Sequence, residues 1–118
     1  MRSDLIGAYG EHLAAKFLRD DNYNIRAANF KTYNGEIDLI AEKNSVICFV
    51  EVKTRQIGGI TAPADAVNIH KQENIKSAAS VYLNKYGNGL EYRFDIIEVF
   101  LNGKQVEKIN HLKNVFWG

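Results

Sequence analysis

Between Ser3 and about Asp21 the apolar residues Ile6, Tyr9, Leu13, Phe17 and Leu18 recur at spacings of three and four, the period of a helix with one buried stripe. Ser3 is placed to cap it, and Asp4 suits the positive end of its dipole. Tyr23 to Phe30 is short, mixed and strand-like, and the polar run Lys31-Thr32-Tyr33-Asn34-Gly35 after it reads as a turn. Two apolar runs follow, Glu36 to Ala41 and Val46 to Val52, joined by Glu42-Lys43-Asn44-Ser45 in the pattern of a β-hairpin. The second run is apolar on both faces, so it belongs in the middle of a sheet covered on each side.

Arg55 to Thr61 contains Gly58-Gly59 and has no periodicity, which predicts a mobile loop able to serve as a lid, and Pro63 marks the approach to the next ordered element. From about Asn68 to Tyr86, Ile75, Ala78, Ala79, Tyr82, Leu83 and Tyr86 fit a second amphipathic helix, stopped by Gly87-Asn88-Gly89. Glu91 to Leu101 alternates as a strand, and Asn102-Gly103 is a hairpin turn into Gln105 to Ile109. Leu112, Phe116 and Trp117 are expected to dock back on the core. The order helix, three strands, helix, two strands predicts an α/β fold with a mixed, mainly antiparallel five-stranded sheet flanked by helices.

Composition narrows the classes. The 118 residues suit one compact domain spanning 1–118, with no internal repeat or low-complexity segment, and 46% apolar residues supply a core. A formal net charge of +1 advertises no global field for nucleic acid or membrane, so any such binding needs a local patch. The lone Cys48 can form neither an internal disulfide nor a thiolate metal site and is best read as a small buried hydrophobe. Polar residues interrupt the start before an apolar signal region could form, and no apolar run reaches the ~20 residues of a membrane span, so a soluble cytoplasmic protein is expected.

The most apolar strand ends in Glu51-Val52-Lys53, an acid and a base at adjacent same-face positions. Any hairpin loop with an even number of residues puts Asp38 on that face too, opposite or diagonal to Glu51. Two carboxylates so close need a shared proton, a basic partner or a divalent cation, and Lys53 can compensate only one charge. Mg²⁺ or Mn²⁺ takes oxygen ligands and commonly uses one or two carboxylates, with water and phosphate completing the shell. Asp38 and Glu51 provide that minimum, and the Val52 carbonyl passes between them as a further donor. With Lys53 to position water or stabilise charge on phosphate oxygens, the set describes a site for phosphodiester hydrolysis. Glu11 shares a helix face with Gly7, Ala14, Ala15 and Leu18, and is either a boundary residue or a third acid directed at the pair.

Several segments together carry a resemblance: Gly7-Ala8-Tyr9-Gly10-Glu11, Gly35-Glu36-Ile37-Asp38-Leu39-Ile40-Ala41, Phe49-Val50-Glu51-Val52-Lys53-Thr54-Arg55, Lys71-Gln72, and Arg93-Phe94-Asp95-Ile96-Ile97. Over nearly the whole chain they resemble the YraN-like uncharacterised bacterial proteins, placed in the PD-(D/E)XK nuclease superfamily with restriction endonucleases and Holliday-junction resolvases. The resemblance implies a restriction endonuclease-like core in which Asp38 is the superfamily aspartate, Glu51 the central acid, Lys53 the lysine and Glu11 a helix acid that helps hold metal. Ile37 stands where the superfamily's nominal motif has proline. The implied activity is a metal-dependent endonuclease on DNA, branched or flap DNA by the resolvase similarity, with a homodimer required to cut a four-way junction.

The other polar residues admit two readings each. Lys71 and Gln72 either lie exposed on the first turn of the second helix or hold a phosphate or the attacking water. Lys31, Lys53, Arg55, His70, Lys71 and Lys76, with Tyr33 at the edge, form either a basic rim for a nucleic-acid backbone or a scattered solvated surface. Arg93 and Asp95 either pair in the interior or brace the site, and His70 and His111 read as surface residues. The rival to an enzyme is a non-cleaving nucleic-acid-binding or repair-accessory module that keeps the site for structure. A carboxylate hydrolase of sugars, indifferent to chelation, is a third alternative.

Overall fold

A computed structural model describes residues 3–58 and 69–116. The element order is α1 (Ser3–Asp20), β1 (Asn24–Lys31), β2 (Glu36–Lys43), β3 (Val46–Gln56), α2 (Ile69–Tyr86), β4 (Glu91–Asn102) and β5 (Gln105–Leu112). The expected caps at Ser3 and Asp4 lie outside the described side chains. Gly59 to Asn68, with Pro63, and Trp117 lie outside the described residues.

Helix α1 closes because Asn22 adopts φ 67°, letting Asn22 N–H reach the Arg19 carbonyl at 3.0 Å and Tyr23 N–H the Leu18 carbonyl at 2.9 Å. This is a Schellman ending with asparagine in the left-handed position, and Leu18 and Tyr23 make its apolar clasp in the core. The β2–β3 turn is only two residues long, Asn44 and Ser45, both at positive φ (52° and 64°) as a type I′ hairpin requires. In β4–β5 the strands close at Asn102↔Gln105 around Gly103 and Lys104. The turn therefore sits one residue later than expected, with Gly103 (φ 61°) at its first central position.

The strands lie in the order β1-β2-β3-β4-β5, antiparallel throughout except for β3 and β4, which run parallel on either side of the α2 connection. The fold is thus a mixed, mostly antiparallel five-stranded sheet with two helices among the described residues. Ala14 and Leu18 of α1 pack with Leu39, Ala41, Cys48, Val50, Ile97 and Val99 on one face. Ile75, Ala78, Ala79 and Tyr82 of α2 pack with Ile40, Ile47, Phe49 and Phe94 on the other. Strand β3 is apolar on both faces because a helix covers each, and Cys48 is a buried core residue.

Three expectations change at the edges. Arg55 belongs to β3 rather than to a loop, since β3 keeps pairing with β4 through Gln56↔Leu101. Phe116 docks on Phe94 with ring centroids 5.7 Å apart, but Leu112 stays largely exposed because it ends the edge strand. His111 is buried rather than superficial, held between the Phe17 and Tyr23 rings on the α1 face. Among the described residues no helix is long and apolar enough to cross a membrane.

Candidate active site

The β2–β3 register runs from Lys43↔Val46 to Leu39↔Val50 and stops there. One step further, Asp38 lies beside β3 with its carboxylate on the Val52 amide, next to Glu51, whose side chain meets α2 on the face that Phe49 defines. In an antiparallel pair the residues alternate between hydrogen-bonded and closer, non-bonded partners, and a residue's N–H and C=O face the same neighbour. The Val52 N–H faces β2, because it donates to Oδ2 of Asp38 at 2.8 Å. Asp38 and Glu51 are close enough that the charge of one acts on the other. The Val52 carbonyl faces the same gap.

The strands part at this point for a visible reason. Asn29 lies opposite Asp38 in the β1–β2 register and takes φ 52°, a left-handed conformation in mid-strand. Across this kink the alternation breaks: Leu39 belongs to the α1-side core, yet Ile37 is buried on the α2 side. Released from its ladder, β2 offers Val52 the Asp38 carboxylate in place of a main-chain carbonyl.

Glu51 is buried, with 6% of its side chain exposed, and its Oε1 lies 2.7 Å from Nζ of Lys71 on the first turn of α2. Lys71 lies on the first turn of α2 as expected, half-exposed, and there it is the ion-pair partner of the central acid. Burial and the neighbouring Glu51 charge push the Asp38 carboxyl up to about 7, against the hydrogen bond from Val52. The Lys71 ammonium loses solvation on burial, but its bond to Glu51 outweighs that cost and holds its pKa above the usual lysine value. Lys53 follows Glu51 on the same face of β3, half-buried, opposite Glu98 of β4.

Glu11 reaches this group from α1. Gly10 makes that possible, because a side chain there would run into Oγ1 of Thr54 and find the Thr54 Cβ at 2.9 Å. Burial raises the Glu11 pKa, a side-chain hydrogen bond with Asn29 opposes the rise, and the charges of Glu36 and Glu51 add to it. Glu11 in turn helps to raise Asp38. The third acid is thus electrostatically coupled to the pair. Among the described residues no three Asp, Glu, His or Cys side chains close together as ligands of a single ion, so the immediate donor pair is Asp38 and Glu51.

The other candidates scatter. Arg55 Nε donates to Oε2 of Glu98 at 3.2 Å, and Gln72 is half-buried on the first turn of α2. Lys31 ends β1, exposed, and the loop it enters packs on α2, where a side chain at Gly35 would strike the backbone of Asn74. Tyr33 and His70 are exposed, and Lys76 lines a separate cavity with Leu83, Tyr92 and Phe94. Arg93 and Asp95 pair in the interior on the α1 face, away from the acids. The fully buried Asp95 accepts from Arg93 Nε at 3.0 Å and from the Asn114 amide at 3.0 Å, with His111 Nε2 2.7 Å away. Sequence reasoning did not find Asn29, whose one signal is a polar residue in register with Asp38, or His111, whose partner is set by the β4–β5 pairing.

Chain comparison adds a family. The "Uncharacterised protein family UPF0102" matches residues 10–99. A UPF0102 protein of Acetivibrio thermocellus is 45% identical over 116 residues, covering 93% of this chain and 89% of the relative. One from Caldanaerobacter subterraneus subsp. tengcongensis is 46% identical over 115 residues, covering 94% and 93%. One from Alkaliphilus oremlandii is 46% identical over 114 residues, covering 94% and 97%.

Proposed function

The chain belongs to the uncharacterised protein family UPF0102, a name that carries no chemistry, and from the residues of its own cleft we propose that it is a Mg²⁺- or Mn²⁺-dependent endonuclease hydrolysing DNA phosphodiester bonds. Branched and flap DNA are the substrates to examine first. The observation that carries this reading is the closeness of Asp38 and Glu51 at the splayed end of β2–β3, with Lys71 and Lys53 beside them. Two carboxylates set together where burial and the neighbouring charge raise one of them to about 7 are an arrangement that functional sites use.

The donor set fits a hard divalent cation: two carboxylates, of which Val52 occupies one Asp38 oxygen and Lys71 one Glu51 oxygen, and the Val52 carbonyl facing the same gap. Glu11 stands in electrostatic reach as an outer acid. A cation held there supplies Lewis acidity toward the scissile phosphate and acidifies water. The chain's own groups do the rest. Asp38, held against β3 by the Val52 amide, would give the cation its remaining carboxylate oxygen. Lys53 is placed to stabilise negative charge developing on phosphate oxygens. Lys71, with 45% of its side chain exposed, can exchange its bond to Glu51 for one to a phosphate oxygen.

Cleavage of single-stranded, duplex, flap and four-way DNA, measured with Mg²⁺ or Mn²⁺ and with chelator, tests the reading. Expected are cation-dependent cutting by the parent and none by Glu51→Gln or Lys53→Met. The Lys71 ion pair also favours a second reading, a non-cleaving nucleic-acid-binding module whose acids are neutralised internally. Parent protein that cuts none of these substrates, with both variants binding DNA as it does, establishes that reading instead.

A further inference from the structure

On the α1 face, at the turn end of the sheet, a cavity of about 190 Å³ is lined by Tyr23, Lys43, Asn44, Val46, Arg93 and Lys113. It lies five residues of β3 from Glu51, roughly 17 Å along the strand, and shares no residue with the carboxylate cleft. Its lining holds three cations and no acid. From this donor-rich pocket we infer that the protein has a second binding site, for a phosphate group.

The donors are already aimed. Asp95, wholly buried and held by His111 and the Asn114 amide, anchors Arg93 through Nε, so the guanidinium is fixed in the cavity wall rather than waving in solvent. One further N–H of Arg93 goes to the Tyr23 hydroxyl at 2.7 Å. The remaining guanidinium N–H groups have no protein acceptor among the described residues. Tyr23 accepts that bond with its oxygen, so its own proton remains available to a ligand. Lys43 lies 5.0 Å from the Tyr23 ring centroid and 3.3 Å from Asp21, and Lys113 adds a third positive charge.

The charges decide the ligand class. Asp95 offsets Arg93, and the half-exposed Asp21 offsets Lys43, which leaves the pocket positive by the charge of Lys113. A lining of donors without a carboxylate favours a ligand that is all acceptors. A planar guanidinium flanked by ammonium groups is the arrangement that binds phosphate oxygens. At ~30 Å³ per water molecule, the volume has room for a four-oxygen anion with part of its hydration. The phosphate can come from a nucleic-acid backbone or from a free phosphate compound. The inference stands apart from the reading of the carboxylates, because it uses none of their residues.

A ¹H–¹⁵N NMR titration of the full chain with inorganic phosphate, at constant ionic strength against chloride, tests it. Expected are saturable shifts at the amides of Asn44, Arg93 and Lys113, at least tenfold weaker binding by Lys43→Ala/Lys113→Ala, and weaker binding also by Lys113→Ala alone, the exposed one of the two positions. A duplex arm separates the sources. If the backbone is the ligand, DNA shifts the same amides and the double variant lowers the slope of log affinity against log salt by about 1. If a free phosphate compound is the ligand, DNA affinity is unchanged while inorganic phosphate still binds. Shifts that do not saturate, that spread evenly over lysines elsewhere, or that persist in the double variant overturn the site.

Discussion

Oδ2 of Asp38 accepts the Val52 amide proton at 2.8 Å, filling a rung of the β2–β3 ladder that a main-chain carbonyl would otherwise fill. The side chain substitutes for backbone, and the strands part just where Glu51 turns toward α2. One carboxylate is thereby fixed against the strand that carries the other. The price is an acid held in an environment that favours its neutral form.

That cost sets a pH dependence. With the folded pKa of Asp38 near 7 and the unfolded value near 3.8, the folded state binds this proton more tightly. The contribution to stability is complete below about pH 4 and is lost as pH rises through 7. Asp38→Asn keeps an acceptor for Val52 without the charge. It should be more stable than the parent at pH 8, by up to about 4 kcal/mol, with a flatter profile between pH 5 and 8 in urea unfolding. An Asp38→Asn variant no more stable than the parent at pH 8 would show that the acids carry no strain.

Asp95 has the opposite sign. Burial opposes its charge, but hydrogen bonds from His111, Arg93 and the Asn114 amide hold its carboxyl below the usual range. Its stabilisation is present above its unfolded pKa and disappears as pH falls through the lowered folded value. Asp95→Asn strands Arg93 and His111 without their shared anion and should cost roughly 3 kcal/mol at pH 7. Urea unfolding measures it, and a loss below about 1 kcal/mol would contradict the buried pairing.

Two glycines of α1 should respond in opposite directions. Gly10→Ala drives a methyl group into Thr54, pushes α1 off β3, and should destabilise by roughly 2 kcal/mol. Gly7 has nothing within 4 Å of an added Cβ, so Gly7→Ala should gain up to about 1 kcal/mol from helix propensity. Thermal unfolding of both variants checks the contrast. Equal effects would mean that Gly10 is not a contact point.

Cation binding can be read without turnover. Saturating Mn²⁺ should raise the Tm of the parent by about 4 °C or more, and Asp38→Asn and Glu51→Gln should abolish the rise. Lys71→Ala removes the ammonium that competes for Glu51 and should lower the Mn²⁺ Kd, by isothermal titration. An unchanged Kd would mean that Lys71 does not compete at this carboxylate.

The residues themselves announced most of the frame. Periods of three and four marked α1 and α2, alternation marked the strands, and the polar link Glu42 to Ser45 marked the hairpin, whose turn proper is Asn44-Ser45. These are local properties, set by backbone geometry within a few residues. The partner of Glu51 could not be read that way. Lys71 meets it only because the β3–α2–β4 connection returns the helix over β3 and so delivers its first turn to the acid. Asn29 at Glu11, Arg55 at Glu98 and His111 at Asp95 are likewise contacts between residues 16 to 43 positions apart or between separate elements, fixed by register and packing. Sequence determined the elements and which side chains share a face. Beyond near neighbours on one strand such as Arg93 and Asp95, tertiary structure decided which charges meet, because a Coulomb or hydrogen-bond partner depends on distance in space, which distance along the chain does not encode.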